Sequence, residues 1–195
     1  MYYANLLLVV GLGIFMCEKR ATKTKTILYL SICMAAMALF FTLRYGIGYD
    51  FYSYRRIFES IASEPNLSSL VQTQYIKSYP LFTLINYIVS LFTHSYTAFN
   101  AVIALLLFSC VGYAIYKYSP IPWISVYCYI TLLYFYMSMG FVRQPLALAV
   151  LLFAYPFLKK KQLLPYTLIV VLASLIHFYA LIMIPAYFFL MIKPS

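Results

Sequence analysis

Residues 97–116 read TAFNAVIALLLFSCVGYAIY and contain no Lys, Arg, Asp or Glu. As an α-helix, a segment of this length measures about 30 Å, which is the thickness of the hydrocarbon core of a bilayer. Inside lipid, backbone polar groups must pair within the segment or within a closed barrel, and this segment lacks the two-residue alternation of a barrel strand. The sequence therefore predicts a membrane-spanning helix here.

The rest of the chain has the same character. Of its 195 residues, 65% are hydrophobic and only 9% are charged, whereas a soluble globular domain carries about 25% charged residues. Six further stretches lack Lys, Arg, Asp and Glu: 2–17, 26–43, 79–93, 122–139, 144–158 and 163–192. We therefore predict an all-α fold, in which residues 1–195 form a single transmembrane domain built as a polytopic helix bundle.

The basic residues indicate which loops face the cytoplasm. The formal net charge is +10, from 14 Lys and Arg against four acidic residues. Because these basic residues lie in short loops between apolar stretches, topology explains them better than binding to nucleic acid, which we do not expect. One cluster consists of Lys19, Arg20, Lys23 and Lys25, and another of residues 159–161. Both clusters are predicted to lie inside, which places the N-terminus outside.

Strict alternation of crossings would put residues 159–161 outside, so one apolar stretch must fail to cross. Stretch 79–93 has 15 residues, about 22 Å as a helix, and we predict that it forms a short re-entrant or half-buried helix. The last stretch, 163–192, is long for one crossing and short for two. It forms either a hairpin that turns near His177 or one strongly tilted helix. In all, we predict about six to eight membrane helices.

This topology places one sizeable outer loop at residues 44–78, beginning with RYGIGYD at 44–50. After Asp50, the apolar and aromatic side chains recur at helical spacing, at 51, 54, 57, 58 and 61. The pattern predicts an amphipathic interfacial helix in which Arg55 and Glu59 pair four residues apart. Asp50 is either the N-cap of this helix or a functional carboxylate, and Arg44 either snorkels or binds a ligand.

The turn at residues 139–144 and the last stretch each contribute a polar side chain to the same outer face. Pro145 suits the first turn of a helix, which makes Gln144 a candidate cap and leaves Arg143 beside the positive end of the dipole. A guanidinium at such an end is a candidate phosphate site, or it snorkels to lipid headgroups. His177 is either a hydrogen-bonded packing residue or a base. Metal-ligand spacing is absent, so we predict no metal and no cofactor.

Three pieces of sequence, in their order and spacing, resemble the EpsG-type, Wzy-like family of bacterial exopolysaccharide polymerases. They are LRYGIGYD at 43–50, VRQ at 142–144 and ASLIHFYALI at 173–182. The chain departs from the family pattern at Pro145, where a small non-proline residue is usual, and at residues 77–78, where an acidic residue is frequent. Family members are usually longer, so we expect this chain to be truncated and to lack later helices.

The resemblance implies glycosyl transfer at the outer face of the bacterial cytoplasmic (inner) membrane. In that reaction, oligosaccharide repeat units carried on polyprenyl pyrophosphate are joined into a longer exopolysaccharide or capsule chain, and the pyrophosphate lipid leaves. The implied partners are the lipid-linked oligosaccharide, membrane lipid and other polysaccharide assembly proteins.

Within that reaction, Arg44 and Arg143 are predicted to bind the donor pyrophosphate and stabilise its charge, aided by the dipole of the helix at Pro145. Either His177 or Asp50 takes the proton of the acceptor hydroxyl, and the histidine is favoured because its usual pKa lies nearer neutral pH. The other predicted substrate contacts are Gln144, Tyr49, Tyr54 and Arg55.

Two other functions fit the sequence. A flippase or transporter component for lipid-linked sugars would need polar residues across the whole bilayer, and here they gather at one face. A noncatalytic subunit of a polysaccharide assembly system is favoured by the short chain. The polymerase is the function that we predict.

Overall fold

The computed structural model describes Val9, Gly11, Gly13 and residues 22–191. Of these residues 81% are helical and none lies in a strand, which confirms the all-α class. The α-helices of this part are α1 (Lys23–Leu43), α2 (Phe51–Ala62), α3 (Leu67–Gln72), α4 (Gln74–Ser78), α5 (Pro80–Ser90), α6 (Tyr96–Tyr118), α7 (Pro122–Thr131), α8 (Tyr134–Gly140), α9 (Arg143–Leu151), α10 (Tyr155–Lys159), α11 (Leu163–Ser174) and α12 (Met183–Met191). Single 3-10 segments cover Leu152–Ala154 and Phe178–Ile182.

Helices α1 and α6 form the centre of the bundle. They have 21 and 23 residues, about 32 and 35 Å, and each is long and apolar enough to cross a bilayer. They begin at hydroxyl caps, since Thr22 accepts a hydrogen bond from the Lys25 N–H and Ser95 from the Ala98 N–H. Among the described residues these are the two helices of that length. The total of six to eight membrane helices stays a prediction.

The two long helices run antiparallel. Arg44, just after α1, lies beside Tyr96 at the start of α6, while Met34, nearer the start of α1, packs on Gly112 near the end of α6. A Cβ at Gly112 would lie only 2.9 Å from the Met34 Cγ, so the absence of a side chain lets the helices approach closely. The rings of Phe41 and Phe108 meet at 6.1 Å between these points.

The predicted amphipathic helix is confirmed as α2. Its buried face carries Phe51, Tyr54, Phe58 and Ile61, and the Arg55 Nε lies 2.7 Å from the Glu59 Oε1 on the opposite face. The buried face packs on the start of α6, where the Phe58 and Phe99 rings stack at 4.9 Å. This contact fastens the segment after Arg44 to the long helices.

The predicted short helix in stretch 79–93 is α5. Its 11 residues span about 16 Å, too little to cross the hydrocarbon core, so it remains a candidate re-entrant helix. The face of α5 that packs against the rest of the protein carries two polar side chains, Thr83 and Asn86. Both are completely buried. The Leu81 N–H donates to the Leu175 carbonyl at 3.0 Å, which ties the start of α5 to the end of α11.

Stretch 122–139 was predicted as one crossing helix; its continuity is wrong, while the crossing itself stays a prediction. The chain breaks between α7 and α8 at Leu132 and Leu133, and Leu133 adopts a left-handed conformation with φ 65°. The Leu133 N–H still bonds to the Ile130 carbonyl at 3.2 Å. Two short helices therefore cover the distance that was assigned to one.

The helix predicted in stretch 144–158, with Gln144 as its cap, begins two residues earlier than predicted. Helix α9 starts at Arg143 and its N-cap is Val142, so Gln144 is not the cap. Pro145 is accommodated because the first N–H groups of a helix have no acceptor within it, and the Leu146 N–H is the first to bond back, to the Val142 carbonyl. The 3-10 segment before α10 lies where Pro156 has no N–H to continue the α-helical pattern.

The last stretch forms the predicted hairpin, which rules out a single tilted helix. After α11 the chain turns at residues 175–177 and returns through the second 3-10 segment and α12. The Tyr166 hydroxyl donates to the Met183 carbonyl at 2.8 Å, and its ring lies 4.9 Å from that of Tyr187. Each arm is shorter than a full crossing.

Of the first predicted stretch, 2–17, the described residues are Val9, Gly11 and Gly13, and Lys19 and Arg20 lie outside the described residues. The Tyr29 hydroxyl donates to the Val9 carbonyl at 3.3 Å, and a Cβ at Gly13 would lie 3.3 Å from the Trp123 Cβ. This part of the stretch therefore packs against α1 and α7.

Candidate functional site

Four segments that are distant in sequence meet at one end of the α1–α6 pair, which we call the arginine end. It consists of the segment 44–58, the start of α6, the junction 138–143 between α8 and α9, and the turn at His177. The opposite end, which we call the lysine end, carries Lys117 at the last turn of α6 together with Lys159 and Lys160, which line the same cleft.

Arg44 points into the protein and is 3% exposed. Its Nη1 donates to the Ser138 carbonyl at 3.2 Å and to the Met139 carbonyl. These carbonyls lie in the last turn of α8, where no further helical N–H follows and where a cation is favourable to the helix dipole. The guanidinium also lies over the Phe41 ring, 3.9 Å from its centroid. Arg44 thus holds the end of α8 to the end of α1.

The interior around Arg44 is polar and incompletely paired. Among the described residues, the Arg44 Nε and Nη2, the Tyr96 hydroxyl and the Asn100 Oδ1 are buried without a hydrogen-bond partner. Tyr96 and Asn100 are one turn apart on α6, and Tyr96 lies close enough to both Asn100 and the Arg44 guanidinium for side-chain hydrogen bonding, although the geometry falls short of well-formed hydrogen bonds. Buried polar atoms are nearly always fully paired in proteins. A cluster of incompletely paired ones beside a buried guanidinium marks this end as the chemically distinct part of the bundle.

The loop before α2 rests directly on the junction between α8 and α9. Gly48 has φ +102°, and a Cβ there would lie 2.2 Å from the Met139 carbonyl oxygen. The Tyr49 and Phe141 rings stack at 6.4 Å beside this contact. Only glycine fits this backbone conformation and this close approach. The contact and the Arg44 hydrogen bonds therefore fix the residues just before Arg143.

Arg143 is held from two sides at the first position of α9. Its Cζ lies 3.6 Å from the Tyr79 ring centroid, and its Nε donates to the Tyr54 hydroxyl at 3.4 Å. The Nη1 is buried and has no partner among the described residues. Tyr54 also interacts with the charge of Arg44, so this one tyrosine lies between the two arginines. The plane of the Arg143 guanidinium is therefore fixed, and its Nη1 remains available as a donor. Arg143 also lies at the positive end of the dipole of a nine-residue helix.

His177 lies in the turn of the hairpin, half-buried, near Arg143. The backbone N–H of His177 donates a hydrogen bond to the Ala173 carbonyl at 3.0 Å, at the end of α11. Desolvation, and after it the charge of Arg143, lower the pKa of the imidazole below its ordinary value of 6.5. At neutral pH the side chain is therefore uncharged and able to accept a proton.

The other predicted site residues differ in how they are held. Asp50 is at the N-cap position of α2, but its side chain makes no capping hydrogen bond. Tyr49 is 84% exposed and Gln144 is exposed, whereas Tyr54 is 5% exposed and packs its ring edge against Phe82. Arg55 is paired with Glu59 on the outer face of α2.

Sequence reasoning missed three side chains of this site. Tyr79, which stacks on Arg143, was read as the start of an apolar stretch. Tyr96 was placed just before the predicted spanning helix 97–116, and Asn100 within it. One feature of the sequence could have indicated that Tyr79 lies outside the helix: it precedes Pro80, and a proline at the first helical position leaves the residue before it at the cap. The other two carried no such feature, since their proximity to Arg44 depends on the packing of α1 on α6.

Comparison with known proteins identifies one family. The model of the EpsG family matches residues 26–195, which include every residue of the arginine end. No curated protein and no solved structure matches the chain.

Proposed function

Because this chain belongs to the EpsG family of Wzy-like polysaccharide polymerases, we propose that it extends a polysaccharide from repeat units carried on polyprenyl pyrophosphate. Its apolar helices and its family both indicate a membrane location. The reaction is proposed to occur at the arginine end, on the outer face of the cytoplasmic membrane, in exopolysaccharide or capsule biosynthesis.

The observation that carries this proposal is the environment of Arg143. A diphosphate needs a cationic donor whose orientation is set before binding, and the Tyr79 ring and the Tyr54 hydroxyl orient this guanidinium while its Nη1 stays unused. The free N–H groups at the start of α9 add donors beside it. Arg143 is therefore the proposed ligand of the donor diphosphate.

His177 is the proposed general base. As the acceptor hydroxyl attacks the anomeric carbon of the donor, the imidazole takes its proton, the carbon–oxygen bond to the diphosphate breaks, and the negative charge on the leaving diphosphate is stabilised by Arg143. The lowered pKa of His177 keeps it in the basic form at neutral pH. Asp50, whose carboxylate makes no cap hydrogen bond, is the alternative base.

Arg44 is proposed to act through position. It was predicted to bind the diphosphate directly, but its 3% exposure and its two carbonyl acceptors favour a role in holding the junction before Arg143. Tyr54 acts in the same way through its hydroxyl. Tyr49 and Gln144 are exposed beside the site and are the proposed sugar contacts. Arg55, already paired with Glu59, is proposed at its edge.

The test is chain extension on lipid-linked repeats by Arg143→Ala and Arg143→Lys variants. We expect Arg143→Ala to lower the rate by about 10²–10³-fold, as for other preorganised donors, and Arg143→Lys to lose much of it because one ammonium cannot make two parallel hydrogen bonds. Arg56→Ala is the matched control, since Arg56 is exposed on α2. Wild-type extension by Arg143→Ala would remove Arg143 from the mechanism.

The location of unextended repeats separates the polymerase from a flippase component. In cells that carry Arg143→Ala, a polymerase defect leaves lipid-linked repeats at the outer face of the membrane. Repeats retained at the inner face would instead support the flippase.

A further inference from the structure

The lysine end carries a cleft that the polymerase reaction does not use. It measures about 250 Å³ and lies between the end of α6 and helix α10, and it is lined by Lys117, Lys159 and Lys160 with Tyr118, Tyr155 and Pro156. None of these lining residues is acidic. Three lysines therefore line one small space without a carboxylate among them, which is the charge arrangement that an anionic group would neutralise.

A second, apolar cleft continues from the first. It measures about 400 Å³ and shares Lys117, Tyr118 and Pro156 with the basic cleft. Its other lining residues are Tyr113, Phe153, Phe157 and Ile169. The Tyr113 and Phe153 rings stack at 5.6 Å across it. The groove thus changes from cationic to apolar along its length, at Lys117.

Lys117 is fixed at the point where the two clefts join. Its Nζ donates to the Tyr113 hydroxyl at 3.0 Å and lies 5.3 Å from the Tyr113 ring centroid. The stem of a lysine covers apolar surface while its ammonium stays at a polar boundary. In this geometry the Lys117 ammonium lies at the boundary between the basic cleft and the apolar cleft.

We propose that this groove binds an anionic phospholipid, with the phosphate among the three lysines and one acyl chain in the apolar cleft. Basic pockets between membrane helices are suited to anionic headgroups, and each nearby lysine strengthens the attraction. The apolar cleft favours an intact lipid over a free phosphate, because inorganic phosphate would use only half of the groove. The site is independent of the proposed polymerase chemistry, which lies at the other end of the bundle.

The experiment is native mass spectrometry of the full chain in detergent with equimolar phosphatidylglycerol and phosphatidylcholine of identical acyl chains. We expect the protein to retain phosphatidylglycerol preferentially, and K117Q/K159Q/K160Q to lose that preference by about fivefold per lysine. K23Q/K25Q is the matched control, because it also removes charge from the lysine end but alters no residue of the two clefts. It should keep the preference.

Two further arms test the lipid as the occupant. Ile169→Trp fills the apolar cleft without changing the charge and should lower retention of phosphatidylglycerol, and glycerol 3-phosphate should fail to displace the lipid. Equal retention of the two lipids would overturn the proposal, as would an equal loss in K23Q/K25Q. Displacement by glycerol 3-phosphate at the concentration of the intact lipid would show a simple anion site instead.

Discussion

The arginine end and the lysine end carry the same sign of charge but hold it in opposite ways. At the arginine end, Arg44 is 3% exposed and Arg143 is fixed by a tyrosine ring and a tyrosine hydroxyl. At the lysine end, Lys117, Lys159 and Lys160 are all exposed. A planar guanidinium with fixed donors suits recognition of a defined anion, whereas a solvated ammonium on a flexible stem suits a surface or a lipid. Charge alone therefore does not distinguish the proposed catalytic end from the proposed lipid-binding end.

The difference also predicts where the protein tolerates change. A buried charge needs its partners, because removing one side of the contact leaves the other unpaired in a medium that does not solvate it. An exposed lysine such as Lys160 is solvated by water, and the protein loses little stability when it is replaced. Substitutions at the arginine end should therefore have the largest effects, and substitutions at the lysine end the smallest.

The largest effect on stability is expected from Gly48→Ala. The new Cβ would meet the Met139 carbonyl oxygen at 2.2 Å in a backbone conformation of φ +102° that alanine rarely adopts. We expect a loss of about 3 kcal/mol or more in the free energy of unfolding, together with loss of chain extension. The measurement is the thermal unfolding midpoint in detergent by circular dichroism.

Two other glycine variants provide a scale for the effect of Gly48→Ala on the unfolding midpoint. At Gly11, which is helical, an added Cβ meets no atom of the described residues within 4 Å, so Gly11→Ala should not lower the midpoint. At Gly46, φ is +64° and the nearest atom is the Tyr52 hydroxyl at 3.1 Å, the end of a side chain that can move, so Gly46→Ala should fall between the other two. A Gly48→Ala protein as stable as Gly11→Ala would show that the loop does not rest on the junction before Arg143.

A smaller loss is expected from Arg44→Gln. The Ser138 and Met139 carbonyls would lose a charged donor, and hydrogen bonds to charged groups contribute about 1.5–3 kcal/mol each to stability. Since removing Arg44 also removes two buried nitrogen atoms, Nε and Nη2, that lack well-formed hydrogen bonds, we expect a net loss of about 2 kcal/mol. Thermal unfolding of Arg44→Gln beside Arg56→Gln, an exposed arginine of α2, measures it. Equal midpoints for these two variants would show that Arg44 does not hold α8 in place.

The pH dependence should come from His177. Because burial and Arg143 lower its folded-state pKa below 6.5, the unfolded chain binds more protons between the lowered value and 6.5. Stability at this site is therefore complete above pH 6.5 and is lost as the pH falls toward the lowered pKa. Chain extension should hold across this interval and fall only as the pH drops through the lowered pKa, where the proposed base of the folded protein becomes protonated.

Two variants separate the causes. His177→Asn should flatten the stability profile across this interval. Arg143→Gln should raise the lower end of the interval and make the loss of stability smaller, because it removes the repulsion that contributes to the low pKa. A profile that is the same in wild type and His177→Asn would assign the titration to another group.

Periodic parts of the fold could be predicted from sequence. The face of α2 and the Arg55–Glu59 pair follow from helical spacing, and the turn at His177 follows from a stretch too long for one crossing. The break at Leu133 could not be predicted, because a left-handed leucine has no Gly, Pro or Asn to announce it. Packing of α7 and α8 against their neighbours overrides the local preference there.

The candidate site was predictable in its residue types but not in its contacts. Arg44 and Arg143 were predicted as functional residues because charged side chains are rare in so apolar a chain. The acceptors of Arg44 lie 94 and 95 residues away in sequence, so local pattern could not distinguish a buried, structural guanidinium from one that faces substrate. The same reason hid Tyr79, whose stacking on Arg143 requires α5 and α9 to be adjacent.

The smallest effect is expected from Lys160→Gln, at the lysine end. Lys160 is exposed after the last turn of α10, so its replacement should change the free energy of unfolding by less than about 0.5 kcal/mol, as is usual for surface positions. Thermal unfolding in detergent without added lipid isolates this effect from lipid binding. A midpoint lowered as far as in Arg44→Gln would mean that the lysines, too, hold helices together, and the contrast between an ordered cationic end and a solvated one would fail.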